Sequence, residues 1–310
     1  MASQRRALIT SQSSSPAKGA GLDAAKHAAP LISNVRARKN KMTNVYCAEF
    51  KNSSEYIHNW LSKQSSVGEE SITDWILFTL SQSLPQLKYK KFTRHQEART
   101  TGADWEWWIV DKNSAISMRI QAKKIIAGKD NYAGLAHTNK YGLQIEKLIE
   151  DAKLKKFIPF YALYSAPKTD QKVICGGQLD SAKQQGVFIA SAQLLYDKYI
   201  KNGKVKVEAN DVLSQSNPLH CMACCSMLSH GRIPSTSSFY QYIENYYGES
   251  LREINSNIQD LGRHDNAPSY VTSLLDAEDA EIPDWWEKEF QHQIEGFNSL
   301  MILDLRGSNE

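Results

Sequence analysis

The sequence predicts an α/β fold with a mixed central sheet, its elements ordered αβββαβ and followed by a C-terminal, mostly helical elaboration. Three observations lead there: two stretches carry apolar residues at helical spacing, β-branched and aromatic runs lie between and after them, and turn chemistry marks the boundaries. Ile72, Trp75, Ile76, Thr79 and Leu80 recur at i, i+3, i+4, i+7 and i+8, one face of a helix over about 69–82 that Leu84-Pro85 ends. Residues 89–93 read as a short strand and 104–110, DWEWWIV, as a second. Asp111, Lys112, Asn113 and Ser114 supply a turn. Residues 116–124 then alternate, with Ile116, Met118, Ile120 and Ala122 on one face and Ser117, Arg119, Gln121 and Lys123 on the other, as the return strand of a hairpin must.

The second helical stretch spans about 139–155, from the spacing of Tyr141, Ile145, Leu148, Ile149 and Ala152, and a strand at 157–164 follows, closed by Pro167. Short strands at 172–175 and 186–190 and a helix at 192–201 extend the same sheet. The remainder, 206–310, is less regular. It holds a Cys/His loop, a Tyr-rich segment (Tyr240, Tyr242, Tyr246, Tyr247) and an acidic tail. The division expected is therefore a disordered basic arm over 1–41, a core over 42–205 and an elaboration over 206–310.

Composition excludes several classes. With 310 residues, 41% apolar and 23% charged, the chain can bury a core, and no apolar run approaches a membrane span. The net charge is +3, but residues 1–41 carry +7, which leaves −4 for the remainder. A net-negative body cannot coat nucleic acid by charge alone, so such contact needs local patches or the arm. The arm reads as a tether for nucleic acid, a transit peptide, or an upstream extension with Met42 as an alternative start. Five cysteines, three of them within Cys221 to Cys225, do not form a secreted disulfide framework and favour a reducing, cytoplasmic setting.

Strand parity carries the chemistry. Asp104, Glu106 and Trp108 share one face, and Gln121 and Lys123 share a face of the strand expected to pair with it. Glu69 lies on the sheet-facing stripe of the first helix, whereas Glu70 is turned about 100° away. Two carboxylates in one cleft call for a cation between them, and Lys123 alone does not neutralise both. A hard divalent ion held by oxygen ligands would suit phosphodiester hydrolysis, with Lys123 orienting water or meeting developing negative charge. The competing reading makes Asp104 a strand-start residue, Glu106 a partner of Arg119 and Lys123 a solvated lysine.

The segments GEESITDW (68–75), EARTTGADWEWW (97–108) and RIQAKK (119–124) together resemble the PD-(D/E)XK, restriction-endonuclease-like nuclease superfamily. The closest likeness is to its Mrr-like and Holliday-junction-resolvase-like branches, and the chain is also similar to an uncharacterised bacterial family sharing GADWEWW and QAKK. The resemblance covers about 68–165. It implies a restriction-endonuclease-like αβββαβ core, with Asp104 as central metal ligand, Gln121 as a neutral ligand, Lys123 as catalytic lysine and Glu69, or less favourably Glu70, as the helix acid. Tyr141 or Gln144 would steer phosphate, and Glu97 would be a further ligand or a partner of Arg94 or Arg99. It further implies Mg²⁺ or Mn²⁺, DNA in preference to RNA, a homodimer for cutting both strands, and a role in bacterial anti-phage defence or genome maintenance. Gln121 replaces the usual acid and weakens the charge of the site, which leaves one-metal and two-metal chemistry both open. The alternative function is a non-catalytic nucleic-acid-binding or adaptor protein on a decayed nuclease core.

Three further features compete for roles. Trp105, Trp107 and Trp108 could stack on bases but are expected to be core. His220, Cys221, Cys224, Cys225 and His230 offer one C-x-x-C pair for zinc, without a second pair to complete a familiar site. The tract Asp276, Glu278, Asp279, Glu281 and Asp284 leads into a terminal amphipathic helix and could cover a basic cleft until a regulatory partner displaces it.

Overall fold

The computed structural model describes residues 45–307 apart from 93–100, 126–128, 169, 171, 176–177, 225–234 and 278–283. The expected basic arm lies outside the described residues, as do Glu97, Arg94 and Arg99. Residues 42–310 form one unit.

Helix α1 (Val45–Lys63) opens the described chain, burying Tyr46, Phe50, Ser53, Ser54, Ile57 and Leu61 at helical spacing. That periodicity was in the sequence but lay before the stretch where a helix was expected. Helix α2 (Glu69–Ser83) follows after Gly68 and places Glu69 and Glu70 in its first turn, where negative charge complements the helix dipole. Strands β1 (Leu87–Lys91), β2 (Trp105–Asp111) and β3 (Ser114–Lys124) come next, then the two-residue strands β4 (Thr138–Asn139) and β5 (Gly142–Leu143), helix α3 (Gln144–Lys155) and strand β6 (Ile158–Tyr164). Strands β7 (Lys172–Cys175) and β8 (Gln178–Ser181) form a separate hairpin, and β9 (Val187–Ser191) returns to the main sheet.

The later chain contributes α4 (Ala192–Leu195), α5 (Ala209–Leu213), β10 (Asn217–Pro218), α6 (Leu219–Cys224), α7 (Thr236–Ile254), β11 (Arg263–His264), α8 (Ser269–Asp276), α9 (Asp284–Glu289), α10 (Gln291–Ile294) and β12 (Ser299–Asp304). The Tyr-rich segment is thus helix α7, fixed at its start by a capping box between Ser235 and Ser238.

The main sheet has eight strands in the order β1-β12-β2-β3-β6-β9-β10, with β11 beside β3. It is mixed: β2 and β3 are antiparallel, while β12 runs parallel to β2 and β6 parallel to β3. The expected hairpin is present, with Glu106 opposite Arg119 and Trp108 opposite Ser117. The C-terminal strand corrects the sequence reading. Residues 206–310 are not only an elaboration, because β12 lies inside the main sheet, between the edge strand β1 and β2. Its burial explains the placement: Leu300, Met301, Ile302 and Leu303 are all buried, and a run apolar on both faces needs a sheet interior.

Helices cover both faces. Trp105, Trp107 and Ile109 join one apolar cluster with residues of α1, α2 and α7, and Trp108 and Val110 join the other with residues of α3, α4 and α8. All three tryptophans are buried, each contributing roughly 1.5–3 kcal/mol or more from area alone. They are core and not a base-stacking platform. No helix among the described residues is long and apolar enough to cross a membrane.

Candidate active-site cleft

Asp104 stands where the hairpin opens. Its backbone N–H donates to Ile120 O at 2.8 Å and its carbonyl accepts from Asn298 N at 2.8 Å, so β3 and the entry to β12 both fix it. Gly102, at φ +71°, lets the preceding loop run against the first turn of α3, where any Cβ would lie 2.5 Å from Gln144 O. The Asp104 carboxylate accepts Gln121 Nε2 at 2.6 Å and Ala122 N at 2.7 Å through one oxygen. Burial pushes its pKa up to about 6, a rise opposed by the nearby Lys123 charge and the Ala122 N–H and reinforced by Glu69 and Glu70.

Gln121 is buried, and its Oε1 has no hydrogen-bond partner among the described residues. Gln144 Oε1 and the Tyr161 hydroxyl are likewise buried and unpaired, and Tyr161 sits directly across from Gln121 on β6. Unmet acceptors at this density are costly in a dry interior. Lys123 is 8% exposed, and its stem lies against Gly134, where a Cβ would come within 3.0 Å of Lys123 Cδ. The expectation of a solvated lysine therefore fails.

Glu69 reaches the end of β3 from α2 and accepts Lys124 N through Oε1 at 2.7 Å. Thr73, one turn on, bonds Glu69 O at 3.0 Å and the Tyr164 hydroxyl at 2.7 Å, which ties α2 to β6. A cleft of about 220 Å³ results, lined by Glu69, Glu70, Thr73, Asp74, Lys91, Asp104, Ala122, Asn298 and Ser299.

Sequence reasoning missed Asp74, Lys91, Asn298 and Ser299. Asp74 follows Glu70 at i+4 and so shares its helix face, a signal that was legible. Lys91 Nζ donates to Glu70 Oε1 at 3.1 Å and to Asp74, and the Tyr89 hydroxyl donates to Asp74 at 3.1 Å. Asn298 and Ser299 enter only because β12 does.

Glu106 is displaced from the expected site. It is wholly buried and accepts from Arg119 Nε at 3.0 Å, Arg119 Nη2 at 2.6 Å, Trp108 Nε1 at 3.1 Å and the Tyr270 hydroxyl at 2.7 Å. Every acceptor site is taken, as the competing structural reading of Glu106 anticipated. Tyr141 is exposed, with Lys140 against its ring.

Of the expected zinc set, only His220 and Cys221 have described side chains. His220 is buried in α6 with its Nδ1 3.1 Å from Gln185 Oε1, and Cys221 is buried among core residues. Cys225 and His230 lie outside the described residues. Among the described residues no group of three or more His, Cys, Asp and Glu side chains is placed to hold a metal. Cys47 of α1 is disulfide-bonded, which the reducing reading of the cysteines did not anticipate.

Residues 46–300 match the model of DUF6615, a family of unknown function. The chain belongs to that family. No curated protein matches it. The whole cleft, Asn298 and Ser299 included, falls inside the span that defines DUF6615.

Proposed function

We propose that this DUF6615 protein is a metal-dependent nuclease that hydrolyses phosphodiester bonds, with DNA as its substrate, on a restriction-endonuclease-like arrangement. One observation carries the reading: Asp104 and Glu69 line one cleft from two elements, with Gln121 Nε2 bonded to Asp104 and the buried Lys123 close enough for its charge to act on Asp104. Two carboxylate oxygens and an amide oxygen are hard donors that fit Mg²⁺ or Mn²⁺, and that ion keeps the rest of its shell as water. Gln121 now turns its Nε2 to Asp104, and its amide oxygen would join such a shell after the amide rotates. A bound divalent ion would supply Lewis acidity to the scissile phosphate and lower the pKa of a coordinated water.

The chain's own groups would do the positioning. Ala122 N and Gln121 Nε2 hold one Asp104 oxygen, leaving the other directed to the cleft. Lys124 N holds one Glu69 oxygen in the same way. Lys123, its stem packed against Gly134 and its charge acting on Asp104, would supply a cation to meet developing negative charge. Cutting both strands of a duplex would require two copies, hence a homodimer.

Supercoiled plasmid, linear DNA and RNA incubated with the purified chain in Mg²⁺, Mn²⁺ or EDTA test the reading. Cleavage is expected with metal, absent in EDTA, and reduced about 10²–10³-fold in Lys123→Ala and Asp104→Ala. No cleavage of any substrate by the folded wild type would favour the non-catalytic binding protein instead.

A further inference from the structure

A second cavity, of about 330 Å³, lies on the face of the sheet that carries α3, one end of the β2–β3 hairpin away from the cleft. Its volume suits one small molecule. Its depth is aromatic. Trp108, Phe157, His264 and Tyr270 form the walls, with Trp108 edge-on to Phe157 at 5.6 Å and to Tyr270 at 6.2 Å, and the His264 ring 5.0 Å from Trp108. The polar handles of these walls point elsewhere. Trp108 Nε1 and the Tyr270 hydroxyl both donate to Glu106, and His264 Nε2 bonds Ser117 Oγ at 2.7 Å. The cavity floor therefore offers aromatic surface with its hydrogen bonds already made, the Arg119 guanidinium lying over the Phe157 ring at 4.7 Å.

The mouth is different. Lys155 and His292 are exposed there, and among the described residues no carboxylate lines the cavity. The acids close by lie behind the wall: Glu106 and Asp151 hold Arg119, and Asp151 also pairs with Lys155 at 3.2 Å. Flat apolar surface in the depth with a lysine and a histidine N–H at the rim selects a planar aromatic that carries an anion on a short arm.

We infer that this cavity binds a nucleoside monophosphate, its base against Trp108, Phe157 and His264 and its phosphate between Lys155 and His292. The inference does not depend on the nuclease reading, because no cleft residue takes part. The same chemistry could come from a free mononucleotide or from the 5′ end of a strand.

Titration of the full chain with AMP, GMP, CMP, UMP, adenosine, inorganic phosphate and a 5′-phosphorylated dinucleotide, followed by calorimetry and tryptophan fluorescence, tests it. At least one monophosphate is expected to bind at roughly 10–100 µM, with adenosine and phosphate each far weaker. Lys155→Ala and His292→Ala, both on exposed side chains, should each weaken that binding about tenfold while leaving the thermal midpoint unchanged. Tighter binding of the dinucleotide through the same two residues would assign the pocket to a strand end. Absence of binding by every monophosphate up to ~1 mM, or binding unmoved by both variants, overturns the inference. So does binding lost in Asp104→Ala, since the ligand would then sit in the cleft.

Discussion

Asp104 and Glu106 are two residues apart on the same face of one hairpin, yet the fold treats them oppositely. Glu106 receives four hydrogen bonds, two of them from Arg119, and has no capacity left for a ligand. Asp104 receives two, both on one oxygen, and its carboxyl is pushed up to about 6 by burial. A satisfied buried acid is structural, whereas a buried acid left half-satisfied has affinity to spare for a cation or a proton. The contrast extends to the surroundings. Among the described residues, the cleft beside Asp104 is lined by four carboxylates and one lysine, and the pocket beside Glu106 by basic side chains and rings with no carboxylate.

The largest expected effect would break the comparison at Glu106. Its replacement by Ala strands Arg119, 1% exposed, with Asp151 as its remaining anionic partner, and removal of one member of a buried pair costs about 3–5 kcal/mol. Urea denaturation should show that loss, and the double variant Glu106→Leu with Arg119→Met should recover much of it. If Glu106→Ala instead kept its stability and lost cleavage, Glu106 would belong to the cleft after all.

A middle-sized effect sharpens the comparison through pH. The folded Asp104 pKa, about 6, lies above the ordinary carboxylate value of 3.8, so the native state holds this proton more tightly than the unfolded chain. The stabilisation it gives is fully present below about pH 3.8 and is lost as pH rises through about 6. A shift of this size is worth about 3 kcal/mol, and less where water reaches the carboxylate, so about 1–3 kcal/mol is expected. In EDTA, Asp104→Asn should therefore gain on wild type by that amount between pH 4 and pH 8, read from denaturant midpoints. Added Mg²⁺ should raise the wild-type midpoint at pH 8 and leave Asp104→Asn unmoved. A wild-type midpoint indifferent to Mg²⁺ would remove the support for a cation between Asp104 and Glu69.

Local pattern carried much of this into the sequence. The period of α2, the alternation of β3 and the turn at 111–114 placed the helix and hairpin, and with them Glu69, Asp104, Gln121 and Lys123. Parity put Glu106 on the right face but could not tell a satisfied acid from an open one, because its donors include Tyr270, far along the chain. Strand β12 was read as the end of a helical region, since six apolar-rich residues near a terminus have no period that separates strand from helix. Asn298 and Ser299 were lost with it. The aromatic pocket was equally invisible, for it joins the β2–β3 hairpin, the end of α3, β11, the start of α8 with the loop before it, and α10.

The smallest effect concerns Lys91, and it separates the two lysines of the site. Lys91 pairs with Glu70 and Asp74 while about one third of its side chain remains in water. Pairs of that exposure contribute at most about 1 kcal/mol, since solvent screens them and ordering the side chains costs entropy. Lys91→Met should thus leave the denaturation midpoint almost unchanged. Its pairing holds it on the α2 side of the cleft, whereas Lys123 is buried beside Asp104 and carries no competing hydrogen bond among the described residues. Cleavage by Lys91→Met should fall by less than tenfold, against the far larger loss expected for Lys123→Ala. Equal losses would mean that the cleft uses both cations on the scissile phosphate and that the α2 acids serve to aim Lys91, which transfers the chemistry from the hairpin toward the helix.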